Sequence, residues 1–151
     1  MQATTSAVHD PREIGTTRLI DAPSEKIFRA IAELERLARW WGPKDFRNTF
    51  EQFDFRFGGH WKFVMHGPDG TDYANHSVFE EIEAPSRVVF QHLSAPKFRM
   101  TITLCEEAGK TRVDWRGLFE SARVRDQVAK YAIPANEQNL DRLEAELAGI
   151  S

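Results

Sequence analysis

At 151 residues the chain has the length of one domain, and a globule of that size buries roughly 68–70% of the surface its unfolded chain exposes. Hydrophobic residues make up 41% and charged residues 28%, the aromatic share is concentrated in 11 Phe and 4 Trp, and the net charge of -3 offers no basic field to attract phosphates. Nucleic acid and anionic membrane surfaces are thereby excluded as favoured partners. Cys105 is the only cysteine, which rules out an intrachain disulfide and a multi-thiolate zinc site and fits a reducing, cytoplasmic setting.

Residues 1–12 are polar and lack the basic-then-apolar order of a secretory signal, so they read as a flexible tail ahead of a domain over 13–151. Nowhere do about 18 apolar residues run together, so insertion into a membrane is not expected. The run Glu13 to Ile20 predicts a strand that stops at Asp21-Ala22-Pro23, where a helix starts. Ile27, Ile31, Leu34, Ala38 and Trp41 then recur at helical spacing, which places them on one face of a helix or of a closely spaced helix pair that Gly42-Pro43 ends.

From there the pattern is β. Turn formers at Gly58-Gly59, Pro68-Asp69-Gly70, Ala84-Pro85, Ala95-Pro96 and Ala108-Gly109 divide the chain at strand-length intervals and predict a six-strand meander. Trp61, Phe63 and Met65 alternate with Lys62, Val64 and His66, and Phe98, Met100, Ile102 and Leu104 alternate with Arg99, Thr101 and Thr103, so each strand has one apolar face. The chain returns to helix at its end, where Ile133, Asn136, Leu140, Leu143 and Leu147 form a stripe. Pro134 disfavours the α conformation at Ile133, so a break is predicted there, with a short helix after Ser121 and a longer one from Pro134 to about Ala148.

Strand, helix pair, meander and terminal helix is an α+β order in which one long helix covers a face of a seven-stranded curved antiparallel sheet. A helix about 10 Å across cannot fill the whole concavity, so a pocket is a geometric expectation.

Several motifs then occur in a familiar order: Ala22-Pro23, Arg39-Trp40-Trp41-Gly42-Pro43, Gly58-Gly59-His60-Trp61-Lys62-Phe63, Met65-His66-Gly67-Pro68-Asp69-Gly70, and Asn136-Glu137-Gln138-Asn139-Leu140-Asp141-Arg142-Leu143. Together they resemble the bacterial homologues of the activator of heat-shock-protein-90 ATPase, within the START-like (SRPBCC) superfamily, over about Glu13 to Leu147. The resemblance implies a helix-grip fold with a deep hydrophobic cavity. It names no ligand, since the superfamily mixes lipid carriers, hormone receptors, cyclases and hydroxylase subunits.

The candidate ligand-binding residues follow from parity and position. Trp41 closes the helix pair beside the expected cavity mouth, as a stacking wall or as plain core. Trp61, Phe63, Met65, Phe79, Phe98, Met100 and Trp115 share the concave parity, and Leu140 and Leu143 face them from the helix. Asn136 sits within the apolar helix stripe, flanked by Asn139. It either bonds backbone near the break at Pro134 or points into the pocket, where Tyr73 and His92 supply further polar groups. His60 and His66 lie about 20 Å apart along one strand and cannot share a metal ion. Glu80-Glu81, Glu106-Glu107 and the run Asp141 to Glu146, with Arg142 among them, read as solvated faces.

No catalytic residues, metal site or cofactor are assigned. The leading expectation is a binding protein for a small apolar or aromatic molecule, acting as a monomer or weak homodimer. A protein-interaction domain of co-chaperone type, and a cyclase- or dehydratase-like enzyme using His92, Tyr73 or Asn136, are the alternatives.

Overall fold

The computed structural model describes residues 10–149, so most of the expected N-terminal tail lies outside the described residues. The first strand, β1 (Glu13–Ile20), ends where Pro23 sets the entry to α1 (Ser24–Ala32), which has no side-chain cap of its own. That service comes from far along the chain, where Glu106 Oε1 accepts from the Ser24 backbone N–H at 2.8 Å. Glu106 lies on a solvated face, as expected, and also serves as a helix cap. An extended residue, Glu33, then resets the helical phase before α2 (Leu34–Trp40). In consequence Leu34 is 44% exposed, while Leu37 and Trp40 take the core face that the uninterrupted spacing assigned to Leu34 and Ala38.

Six strands follow: β2 (Arg47–Phe53), β3 (His60–His66), β4 (Asp72–Glu83), β5 (Arg87–His92), β6 (Phe98–Glu107) and β7 (Lys110–Phe119). With β1 they make a seven-stranded sheet in the order β1-β7-β6-β5-β4-β3-β2, every neighbouring pair antiparallel. Bulges at Phe50/Gln52 and Phe79/Glu81 add curvature. The register aligns Trp61 with Ser77, Ser77 with His92, His92 with Phe98 and Phe98 with Phe119, so five strands contribute to a single rung across the concave face.

The chain closes with α3 (Ala122–Ala148), 27 residues long and roughly 40 Å at 1.5 Å per residue. Ser121 caps it, its Oγ accepting from the Val124 N–H at 3.2 Å. The predicted break at Pro134 does not occur. Pro134 forfeits one backbone hydrogen bond, but it lies on the exposed side of the helix, where its ring does not disturb the core packing. Packing on either side of it holds the helix as one: Val124, Val128, Ala129 and Ala132 join Ile14 and Phe119, and Leu140, Leu143 and Leu147 enter the main core. Ile133, placed in the apolar stripe by its spacing, is 47% exposed because the continuous helix turns it outward.

The long helix also reconciles its own charges. Glu137 and Asp141, like charges one turn apart, both engage the Arg18 guanidinium of β1 at 2.9 and 2.7 Å, together with Glu144 at 2.8 Å. The result is an α+β helix-grip, or START-like, fold. Among the described residues, no helix is long and apolar enough to cross a membrane.

Candidate functional site

Between the concave face and the helices lies a cavity of about 510 Å³, within the usual size range of small-molecule sites. It is lined largely by rings: Trp41, Phe46, Trp61, Phe63, Phe90 and Phe98, with Met65 between them. Strand alternation puts Trp61, Phe63 and Met65 here, and the rings pack tightly. Trp61 stacks on Phe63 at 4.6 Å and meets Trp41 edge-on at 5.1 Å.

The cavity's polar groups sit on β4 and β5. Tyr73, 46% exposed, stands with Phe46 at 6.0 Å. Deeper in, His92 is buried, its Nδ1 3.1 Å from the Pro96 carbonyl and its Nε2 2.8 Å from Asn75 Oδ1. Asn75 is itself oriented by donating to the Tyr73 carbonyl at 2.9 Å. The His92 ring stacks on Phe98 at 4.6 Å. Burial pushes its pKa below the ordinary histidine value and outweighs the opposing backbone hydrogen bonds at Pro96 and Ser94, which keeps the imidazole neutral at pH 7. Among the described residues, no Asp, Glu, Lys or Arg lines the cavity.

Two further lining residues carry buried polar atoms that bond nothing among the described residues, the Trp61 indole N–H and the Ser77 hydroxyl. Both atoms are almost inaccessible behind the wall, so they are unpaired donors of the packed layer and not groups presented to the cavity.

The Trp41 wall is held from α3. Asn139 Oδ1 accepts from the Gly42 N–H at 3.1 Å, and Arg142 Nη1 donates to the carbonyls of Trp41, Gly42 and Pro43 at 3.2, 3.0 and 2.8 Å, while its Nη2 reaches the Arg39 carbonyl at 2.8 Å. Gly42 has φ +101, a left-handed conformation that glycine adopts without strain. Arg142, read from sequence as part of a solvated face, is therefore the clamp of this turn, and its partial burial lowers its pKa.

Of the sequence-predicted residues, Trp41, Trp61, Phe63, Met65, Tyr73, His92 and Phe98 come together around the cavity. Phe79, Trp115, Leu140 and Leu143 do not line it. They are fully buried core beneath the rings and under the helix, because the same face must first pack α3. Asn139 is the backbone cap that the reading offered as one role for Asn136. Asn136 and Met100 line a smaller cavity of about 150 Å³ beside the first. Asn75 and Ser77, which share the parity of Tyr73 and Phe79 on β4, also line the cavity and carry the same strand signal, whereas Phe46 lies in a loop with no periodic signal.

The histidines pair across strands instead of along them. His60 Nδ1 lies 2.8 Å from His76 Nε2, and His66 Nδ1 lies 2.8 Å from Asp72. Among the described residues no group of three or more His, Cys, Asp or Glu converges to hold a metal ion.

Residues 21–148 match the family model described as activator of Hsp90 ATPase homolog 1-like protein. Among solved structures, a protein of Nitrosomonas europaea superposes with a TM-score of 0.86 at 19% identity, covering 95% of this chain and 99% of that one. A protein of Arthrobacter aurescens gives 0.85 at 24% identity, covering 93% and 90%. An AHSA1-like protein of Aeromonas hydrophila gives 0.75 at 22% identity, covering 92% and 95%. At these identities the likeness concerns the fold. No curated protein matches the chain in sequence.

Proposed function

The chain belongs to the activator of Hsp90 ATPase homolog 1-like family, and we propose that within it this protein is a small-molecule carrier or sensor that holds an apolar, ring-bearing ligand between sheet and C-terminal helix. The observation that carries this reading is the cavity of about 510 Å³ walled by aromatic rings, with no formally charged side chain among the described residues that line it. Such a wall recognises shape and surface, while a few polar groups fix orientation. Trp41, Trp61, Phe63, Met65 and Phe98 form the apolar surface in this reading. Tyr73 and His92 are the orienting groups.

Binding is favoured over catalysis by the state of His92. The ring is buried, its nitrogens face the Pro96 carbonyl and Asn75 Oδ1, and among the described residues no carboxylate or cationic side chain lines the cavity to drive proton transfer through it. The exposed lone thiol of Cys105 suits a reducing, cytoplasmic setting, and residues 13–151 act as one domain.

The test is a titration with uncharged aromatic compounds followed by indole emission and thermal melting. A ligand at a hundred times its dissociation constant stabilises the folded state by about 2.7 kcal/mol. Because Trp41 and Trp61 stand in the wall, emission must shift together with the melt. A broad screen that moves neither signal overturns the reading.

A further inference from the structure

Resting on that reading, we propose that the site has two chambers in series and takes a head-and-tail molecule: a ring-bearing head in the larger chamber and a slim, unbranched apolar tail that passes Phe98 into the smaller one. The two cavities, of about 510 and 150 Å³, share Pro96 and Phe98 in their walls. They also follow one line on the sheet. The rung Trp61, Ser77, His92, Phe98, Phe119 starts in the larger chamber and ends in the smaller. Four strand spacings make that path about 19 Å long.

Phe98 is the partition. Its ring stacks on His92 at 4.6 Å on the larger-chamber side and meets Phe119 at 5.2 Å on the smaller. It is only partly buried, and in this proposal a rotamer change of that one side chain is what joins the two spaces.

The smaller chamber is kept open by a residue that the fold does not require. Gly117 lies inside β7, where glycine weakens a strand, and its φ is not in the left-handed region. A Cβ there would stand 3.6 Å from Phe119, 3.7 Å from Met100 and 3.8 Å from Phe98, all ordinary contacts. Neither backbone conformation nor crowding therefore calls for glycine. What its missing side chain provides is room, matched on the helix side by the small Ala132. At roughly 30 Å³ per small group, 150 Å³ accepts a tail of about five carbons.

The experiment uses the full chain and the 4-n-alkylphenols from methyl to octyl as probes, with dissociation constants from indole emission and calorimetry. In the wild type, affinity rises about four-fold per added carbon, up to about five carbons, and then levels off. Gly117→Val and Ala132→Leu narrow the smaller chamber from opposite walls, and in each the rise stops two or three carbons earlier. Thermal melts establish which variants are folded, and either one suffices. If 4-methylphenol binds but longer tails add nothing, or if a folded variant keeps the wild-type rise, the two-chamber proposal is overturned while the binding reading stands. Failure of every member to bind overturns both.

Discussion

Arg142 gives the sharpest test of how the Trp41 wall is held. Its guanidinium donates to the carbonyls of Arg39, Trp41, Gly42 and Pro43 over 2.8–3.2 Å, so Arg142→Met removes every donor while keeping the apolar stem and helical propensity. A hydrogen bond from a charged donor contributes roughly 1.5–3 kcal/mol, and with Nη1 shared among three acceptors the four contacts count as about two full bonds, or about 3–6 kcal/mol. The arginine must be partly dehydrated to make them, which reduces the net loss to about 2–4 kcal/mol. For a chain of this length that lowers the melting temperature by about 4–16 °C. Urea unfolding followed by circular dichroism measures the loss, and indole emission reports whether Trp41 has moved. Arg142→Lys should recover less than half of it, because a point charge cannot fork to several carbonyls. A variant within about 0.5 kcal/mol of wild type, with unchanged emission, would refute the clamp.

Three further outcomes follow from the same geometry. His92 has a folded-state pKa below its unfolded value, so the unfolded chain binds a proton first as pH falls, and stability drops from about pH 6.5 downward through the folded pKa, by at most about 1.4 kcal/mol per pH unit. Urea midpoints at pH 7.5, 6.0 and 5.0 should therefore fall more steeply in wild type than in His92→Gln; His76, lowered mainly by desolvation, contributes with the same sign in both chains, and its repulsion of His92 acts in wild type alone, in the same direction. Asn139→Ala strands the buried Gly42 N–H and should cost about 1–3 kcal/mol in a chemical melt, whereas Asn136→Leu fills space in the smaller cavity and should leave stability unchanged or raised. Pro134→Ala restores a helical hydrogen bond within α3 and should raise the melting point, by about 1–3 kcal/mol in stability; a lower melting point would show that the helix depends on a bend there.

The sheet was legible because its signal is local. Alternation at Trp61, Phe63 and Met65 and at Met100, Ile102 and Leu104 identifies the buried face without knowledge of any partner strand. Roughly half of the proposed wall came from the same parity. What stayed hidden depends on distant partners. Arg142 looks like any surface arginine until the turn 101 residues earlier is folded against it, and Glu106 caps a helix whose start lies 82 residues before. Pro134 was misread for the opposite reason: its local preference is real, yet packing on both sides of it prevails. Which of the concave rings line space and which fill it, Trp61 against Trp115 for instance, is decided by where α3 rests, and no spacing within a strand encodes that.

The rung across the sheet has a consequence for how such proteins diverge. Each of its five positions belongs to a different strand, and the strands are joined by backbone hydrogen bonds that are indifferent to the side chain presented. Exchanging one rung residue alters one short stretch of the interior and leaves the pairing of every neighbour intact. The pairing of the sheet and the chemistry of its concave face can therefore change independently. Solved structures that superpose on this chain at about a fifth of identical positions are consistent with that independence, the fold being kept while most side chains differ.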